Sequence, residues 1–170
     1  MKLLSDWGIT GDWWRGDRGE YWVIYQGILL LIFALAPPNT PNFIDLNTSV
    51  WQYLSLILAA IFSILAIVFL GQSLFDLGRN LTPLPHPRDD GQLVKTGIYG
   101  IVRHPLYGGV IYLALAYASW RMSWVHVVGS IVLFVFFDAK SRTEEVWLTE
   151  KFPDYANYST VVKKLIPWIY

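Results

Sequence analysis

The densest chemistry in the chain lies at 93–109, LVKTGIYGIVRHPLYGG. Lys95, Arg103 and His104 supply cationic or proton-carrying groups, and Tyr99 and Tyr107 supply flat aromatic faces. Glycines at 97, 100, 108 and 109 allow backbone to approach a ligand closely. A second polar cluster follows at Lys140, Arg142, Glu144 and Glu145. Together the two clusters suit a zwitterionic small molecule. Arg103 or His104 would receive its carboxylate and Glu144 or Glu145 its ammonium, with Gln92 a further polar group on the loop. Taken singly, each has a plainer role. Glu144 and Glu145 read as a solvated helix face, and Lys140 with Glu144 as an i,i+4 pair. No metal-ligand spacing, P-loop or dinucleotide fingerprint occurs.

The elements that must position these groups are apolar. Of 170 residues, 54% are hydrophobic and 15% charged, well below the quarter usual in soluble domains. Nine Trp and ten Tyr suit anchoring at membrane–water interfaces. The net charge of zero gives no case for nucleic acid, and the absence of cysteine excludes disulfides, zinc thiolates and a thiol nucleophile. Residues 1–20, with Trp7, Trp13 and Trp14, read as an interfacial segment.

Four uncharged runs follow, at 21–36, 50–70, 106–120 and 123–137. The second is long enough alone for the ~30 Å hydrocarbon core, and the others would extend into the headgroups. Pro37, Pro38 and Pro41 end the first run, and Gly78 is a stop for the second. Pro83, Pro85 and Pro87 make the 79–103 connection extended, and Asp89-Asp90-Gly91 reads as a turn. Pro105 suits the first turn of the third helix, and Arg121 with Met122 joins the third and fourth runs as a hairpin. Residues 138–151 prolong the fourth helix into water, and Pro153 opens another. Tyr155, Tyr158, Val162 and Leu165 then share a helical face. His126, inside the fourth run, is expected to hydrogen-bond between helices.

Four crossings put both termini on one side. Of thirteen Lys and Arg residues, Arg121 alone falls on the other, so the common side is cytoplasmic. The 78–109 and 138–167 segments then meet in the cytosol. The expected architecture is a single domain over 1–170. It is all-α, an integral-membrane bundle of about four transmembrane helices with a cytosolic binding loop and C-terminal helices.

At these residues the chain resembles the isoprenylcysteine carboxyl methyltransferase and phospholipid methyltransferase superfamily. The match rests on LVKTGIYGIVRHPLYGG and on the later KSRTEEVWLTEKFPDYANYSTVVKKLIP, with Glu144, Glu145, Leu148, Phe152, Tyr155, Tyr158 and Pro167 in the family's second motif. Many relatives have Gly where this chain has Pro153. The resemblance implies S-adenosylmethionine as cofactor. It assigns contacts to Gln92, Leu93, Val94, Tyr99, His104, Pro105, Leu106, Tyr107 and Glu144, with Arg103 beside them. It also implies a cation ahead of the glutamates that receives a carboxylate acceptor, Lys140 or Arg142. An amine acceptor would need a base, Glu145 or His104. The implied partners are membrane lipids and a lipophilic acceptor entering from the bilayer, first an isoprenylcysteine-type carboxylate. Phospholipid ethanolamine and small lipophilic thiols are the other acceptors. A small transporter or a ligand-binding membrane protein is the reading outside enzymes.

Overall fold

A computed structural model describes residues 15–40 and 49–170. Trp7, Trp13, Trp14 and Pro41 lie outside the described residues, as does most of the interfacial segment expected over 1–20. Among the described residues five α-helices follow in order: α1 (Glu20–Leu35), α2 (Ser49–Leu77), α3 (Pro105–Trp120), α4 (Trp124–Lys151) and α5 (Tyr155–Val161). Short 3-10 turns lie at Gly78–Asn80 and Gly97–Gly100. Among the described residues there is no strand, only one parallel backbone pairing of Val102 with Lys163.

The molecule is a helical membrane bundle. Among the described residues two helices are long and apolar enough to cross a bilayer, Val50–Asn80 and Trp124–Lys151. Helices α1 and α3 have 16 residues each, about 24 Å at 1.5 Å per residue, short of the ~30 Å core. On α2, Ile64 is 62% exposed and Ile67 71%, a face that water would oppose and lipid accepts. The apolar part of α4 ends at Phe137, and from Asp138 onward charged side chains carry the helix beyond the hydrocarbon.

Helix α3 packs along α2 through small residues. A Cβ on Gly109 would come within 2.7 Å of the Leu70 side chain, and one on Gly108 within 3.3 Å of Phe69. These two glycines therefore serve helix packing rather than approach to a ligand. Pro105 takes the first turn of α3 as expected. The α3–α4 hairpin turns at Met122, with φ of 44°.

Two expectations are corrected. The face drawn through Tyr155, Tyr158, Val162 and Leu165 is not one helix. Helix α5 ends at Val161, and Val162 is extended. Backbone bonds from Arg103 N–H to Lys163 O (2.8 Å) and from His104 N–H to Lys164 O (3.0 Å) draw this stretch across, and Leu165 is buried. His126 makes its hydrogen bond locally, with Nδ1 2.8 Å from Ser123 Oγ one turn back. Its ring packs edge-on against Phe33 of α1 at 5.0 Å and Tyr117 of α3 at 4.9 Å, so it joins the helices by ring contact.

Candidate active site

The site begins with a turn held from a distance. Gly97 has φ of +62°, and a Cβ there would sit 2.1 Å from the Asp76 carboxylate. Asp76 Oδ2 accepts the Ile98 N–H at 2.8 Å, so the end of α2 fixes the Gly97–Gly100 turn. That turn aims Tyr99, whose carbonyl accepts the Tyr158 hydroxyl. Upstream, Asn80 Oδ1 accepts Gln92 N–H at 2.8 Å. Lys151 donates to the carbonyls of Arg88 and Asp89, tying the proline-rich loop to the end of α4.

The two sequence clusters meet. Tyr107 donates its hydroxyl to Glu144 Oε2 at 2.7 Å. The buried His104 lies between the two glutamates, with Nδ1 3.6 Å from Glu144 Oε2 and Nε2 3.1 Å from Glu145 Oε1. Its ring is parallel to that of Tyr107, with centroids 5.4 Å apart. Arg103 meets Glu145 Oε1 through Nε at 3.0 Å and Nη2 at 2.9 Å. Its Nη1 donates to the carbonyls of Ser159, at 2.8 Å, and Val162.

These groups surround a cavity of about 330 Å³, within the usual range for small-ligand sites. Gln92, Leu93, Val94, Tyr99, Arg103, His104, Leu106, Tyr107, Lys140 and Glu144 line it. Pro105, Arg142 and Glu145 do not. Glu145 stands behind the lining against Arg103 and His104. Arg142 lies on the exposed face of α4, 2.8 Å from Asp138. Lys140 is fully buried, 2.6 Å from Gln26 Oε1 of α1 and 5.1 Å from the centroid of the Tyr107 ring. None of the glycines at 97, 100, 108 and 109 lines the cavity.

Several contributors are not identified as cavity residues by the sequence, three polar or helix-borne ones among them. Val23 and Gln26 come from α1, and Tyr155 from α5. The Tyr155 hydroxyl is buried and has no hydrogen-bond partner among the described residues. Burial raises its pKa, with Glu145 adding to the effect, so it remains a neutral donor. Gln26 had a faint signal, an amide within an uncharged run, but nothing local named its partner.

Glu145 has a consequence for acid stability. Burial alone would raise its carboxyl. Hydrogen bonds and charge from His104 and Arg103 outweigh burial and hold it at about 2, against 4.5 ordinarily. A carboxyl lowered in the fold adds stability above its unfolded pKa, and that stability is lost as pH falls through the folded value. The melting temperature in detergent is therefore expected to drop between pH 4.5 and about 2. Glu145→Gln should remove most of that drop. An equal acid slope in parent and variant would refute this assignment.

Fold and cavity together define a helical membrane protein with a cavity of small-molecule size where charged helix ends meet a proline-rich loop. The chain belongs to the phospholipid methyltransferase family, whose model matches residues 54–155. It is 39% identical over 82 residues to the protein-S-isoprenylcysteine O-methyltransferase of Schizosaccharomyces pombe, covering 47% of this chain and 35% of that protein. It is 30% identical over 175 residues to the methanethiol S-methyltransferase of Pseudomonas deceptionensis, covering 92% of this chain and 63% of that protein. The chain therefore spans less than two thirds of the length of either relative.

Proposed function

We propose that the protein is an integral-membrane methyltransferase that uses S-adenosylmethionine and acts on a lipophilic acceptor, first an isoprenylcysteine-type carboxylate. The observation that carries this reading is the closure of one cavity by two segments distant in the chain, joined where Tyr107 meets Glu144 at 2.7 Å. The lining also has two characters: Glu144, His104 and Tyr99 are polar, while Val23, Leu106, Val110 and Phe137, all on the helices, are apolar.

The donor set fits the cofactor. Glu144 offers a carboxylate to an ammonium, Tyr99 a ring to a flat base, and the 92–94 backbone runs along the lining. Gln92, Leu93, Val94, Tyr99, His104, Leu106, Tyr107 and Glu144 would hold it, with Pro105 and Arg103 setting the backbone and the second carboxylate behind them. When bound, the cofactor supplies a methyl group on a positively charged sulfur. The work of the protein is then to align the acceptor and exclude water. A carboxylate acceptor is already ionised and needs a cation to hold it, which Lys140 provides on the cavity wall. The same reading takes the single domain across the bilayer four times, with termini and cavity cytoplasmic. The distribution of Lys and Arg supports it.

A thiol acceptor is the second reading, favoured by an alignment over 92% of this chain with a methanethiol S-methyltransferase. Transfer of a labelled methyl group to native lipid extract, with identification of the product, separates the two from a phospholipid amine. Saturating S-adenosylmethionine should also raise the stability of the detergent-solubilised protein by about 2–4 kcal/mol. Absence of that shift would refute the cofactor assignment, and a shift without transfer would favour a non-catalytic binding protein.

A further inference from the structure

The uncharged run 21–36 that forms most of α1 contains a single amide side chain, Gln26, and the family match over 54–155 does not reach it. Gln26 Oε1 accepts a hydrogen bond from Lys140 Nζ at 2.6 Å, and both residues line the cavity. Lys140 is 2% exposed, yet among the described residues no carboxylate lies within 4 Å of its nitrogen. Glu144, the nearby acid, is taken up by Tyr107 and His104. The contrast with Arg142, two residues on along α4 and neutralised by Asp138 at 2.8 Å, is direct.

A buried ammonium without a contact ion pair is expensive, and an apolar residue or a direct ion pair would stabilise the bundle better. A neutral amide fixes the position of the charge without cancelling it. The ammonium has three donors, of which Gln26 takes one, and it stands over the face of Tyr107. Lys140 lines the cavity together with the apolar Phe137 and Leu106.

We propose that Gln26 is a positioning residue that sets acceptor specificity: it holds the Lys140 ammonium at the cavity wall without a carboxylate in direct contact, so that the site takes an acceptor with an anionic head, carboxylate or thiolate, on an apolar body. This rests on the methyltransferase reading and narrows it. A protonated amine meets a like charge at this wall and is disfavoured.

The test uses the full chain in detergent, with and without S-adenosylhomocysteine. One arm compares the affinity of N-acetyl-S-farnesylcysteine with that of its carboxamide, and reports on a carboxylate. The other compares dodecanethiol with dodecanol, and reports on a thiolate. The parent should prefer the more acidic member of one pair, the carboxylic acid or the thiol, by roughly ten- to hundredfold, and that pair names the source. Gln26→Glu keeps a link between α1 and α4 but supplies the missing counter-charge. It should abolish the preference while melting no lower than the parent. A merely structural Gln26 predicts the opposite, a preference left intact. A parent without preference in either arm, failure to bind any probe included, overturns the proposal. So does a Gln26→Glu protein that retains the preference. Failure of the parent to bind S-adenosylhomocysteine would instead count against the cofactor reading, and the acid-over-amide comparison made without it would still decide the role of Gln26.

Discussion

Arg103→Met is expected to destabilise the folded protein by about 3–5 kcal/mol, the range for removing one partner of a buried ion pair. The Arg103 side chain is 10% exposed and that of Glu145 20%, so water does little to compensate either. The guanidinium touches Glu145 through two nitrogens and donates through the third to the Ser159 and Val162 carbonyls. It therefore pins the start of α3 to α4 and to the end of α5. Methionine fills much of the volume but leaves one carboxylate with His104 alone and two carbonyls without this donor. Arg103→Lys restores the charge but not the planar fork, so it should recover only part of the loss. Thermal and denaturant unfolding in detergent at pH 7 measure both. An Arg103→Met protein within 1 kcal/mol of the parent would mean that these contacts contribute little, since exposed pairs are worth only about 0–1 kcal/mol.

That architecture was partly legible beforehand. The long apolar runs locate α1 to α4, because an unbroken stretch without charge has few stable forms other than a buried or lipid-facing helix. Pro105 starts α3, and α4 runs on past Asp138 to Lys151. The site's two clusters were also readable, because polar groups beside apolar runs stand out by contrast. That the two clusters meet is also expected from the sequence, but the individual contacts between distant positions are not legible there. Asp76 stands near the polar end of α2, and nothing local to it shows that its carboxylate holds a turn 22 residues later. The spacing of Tyr155, Tyr158, Val162 and Leu165 fits a helix, but the pairing of Lys163 with Val102 decides otherwise. Glycine identity says only that a Cβ is absent. At 108 and 109 the space goes to Phe69 and Leu70, not to a ligand. Lys140 and Arg142 were equivalent by type and position. Burial separates them, because one points into the bundle toward Gln26 and the other toward solvent and Asp138.

The same separation applies to the paired glutamates, and it sets the largest effect expected on ligand binding. Glu144→Gln should weaken S-adenosylhomocysteine binding by roughly ten- to hundredfold, the range for losing a charged hydrogen bond. Glu144 lines the cavity, whereas Glu145 is turned back onto Arg103 and His104. Glu145→Gln should therefore change affinity much less while costing more stability, a reversal that tests geometry rather than charge count. Tyr107→Phe adds a third measurement. Its hydroxyl holds Glu144 at 2.7 Å, so its removal should loosen the carboxylate and weaken binding by less than Glu144→Gln does. Calorimetric titration of the three variants at one pH gives the order. If Glu144→Gln and Glu145→Gln both bind as the parent does, the ammonium of the cofactor is held elsewhere, and the cavity bounded by Tyr107 and Glu144 is not its site.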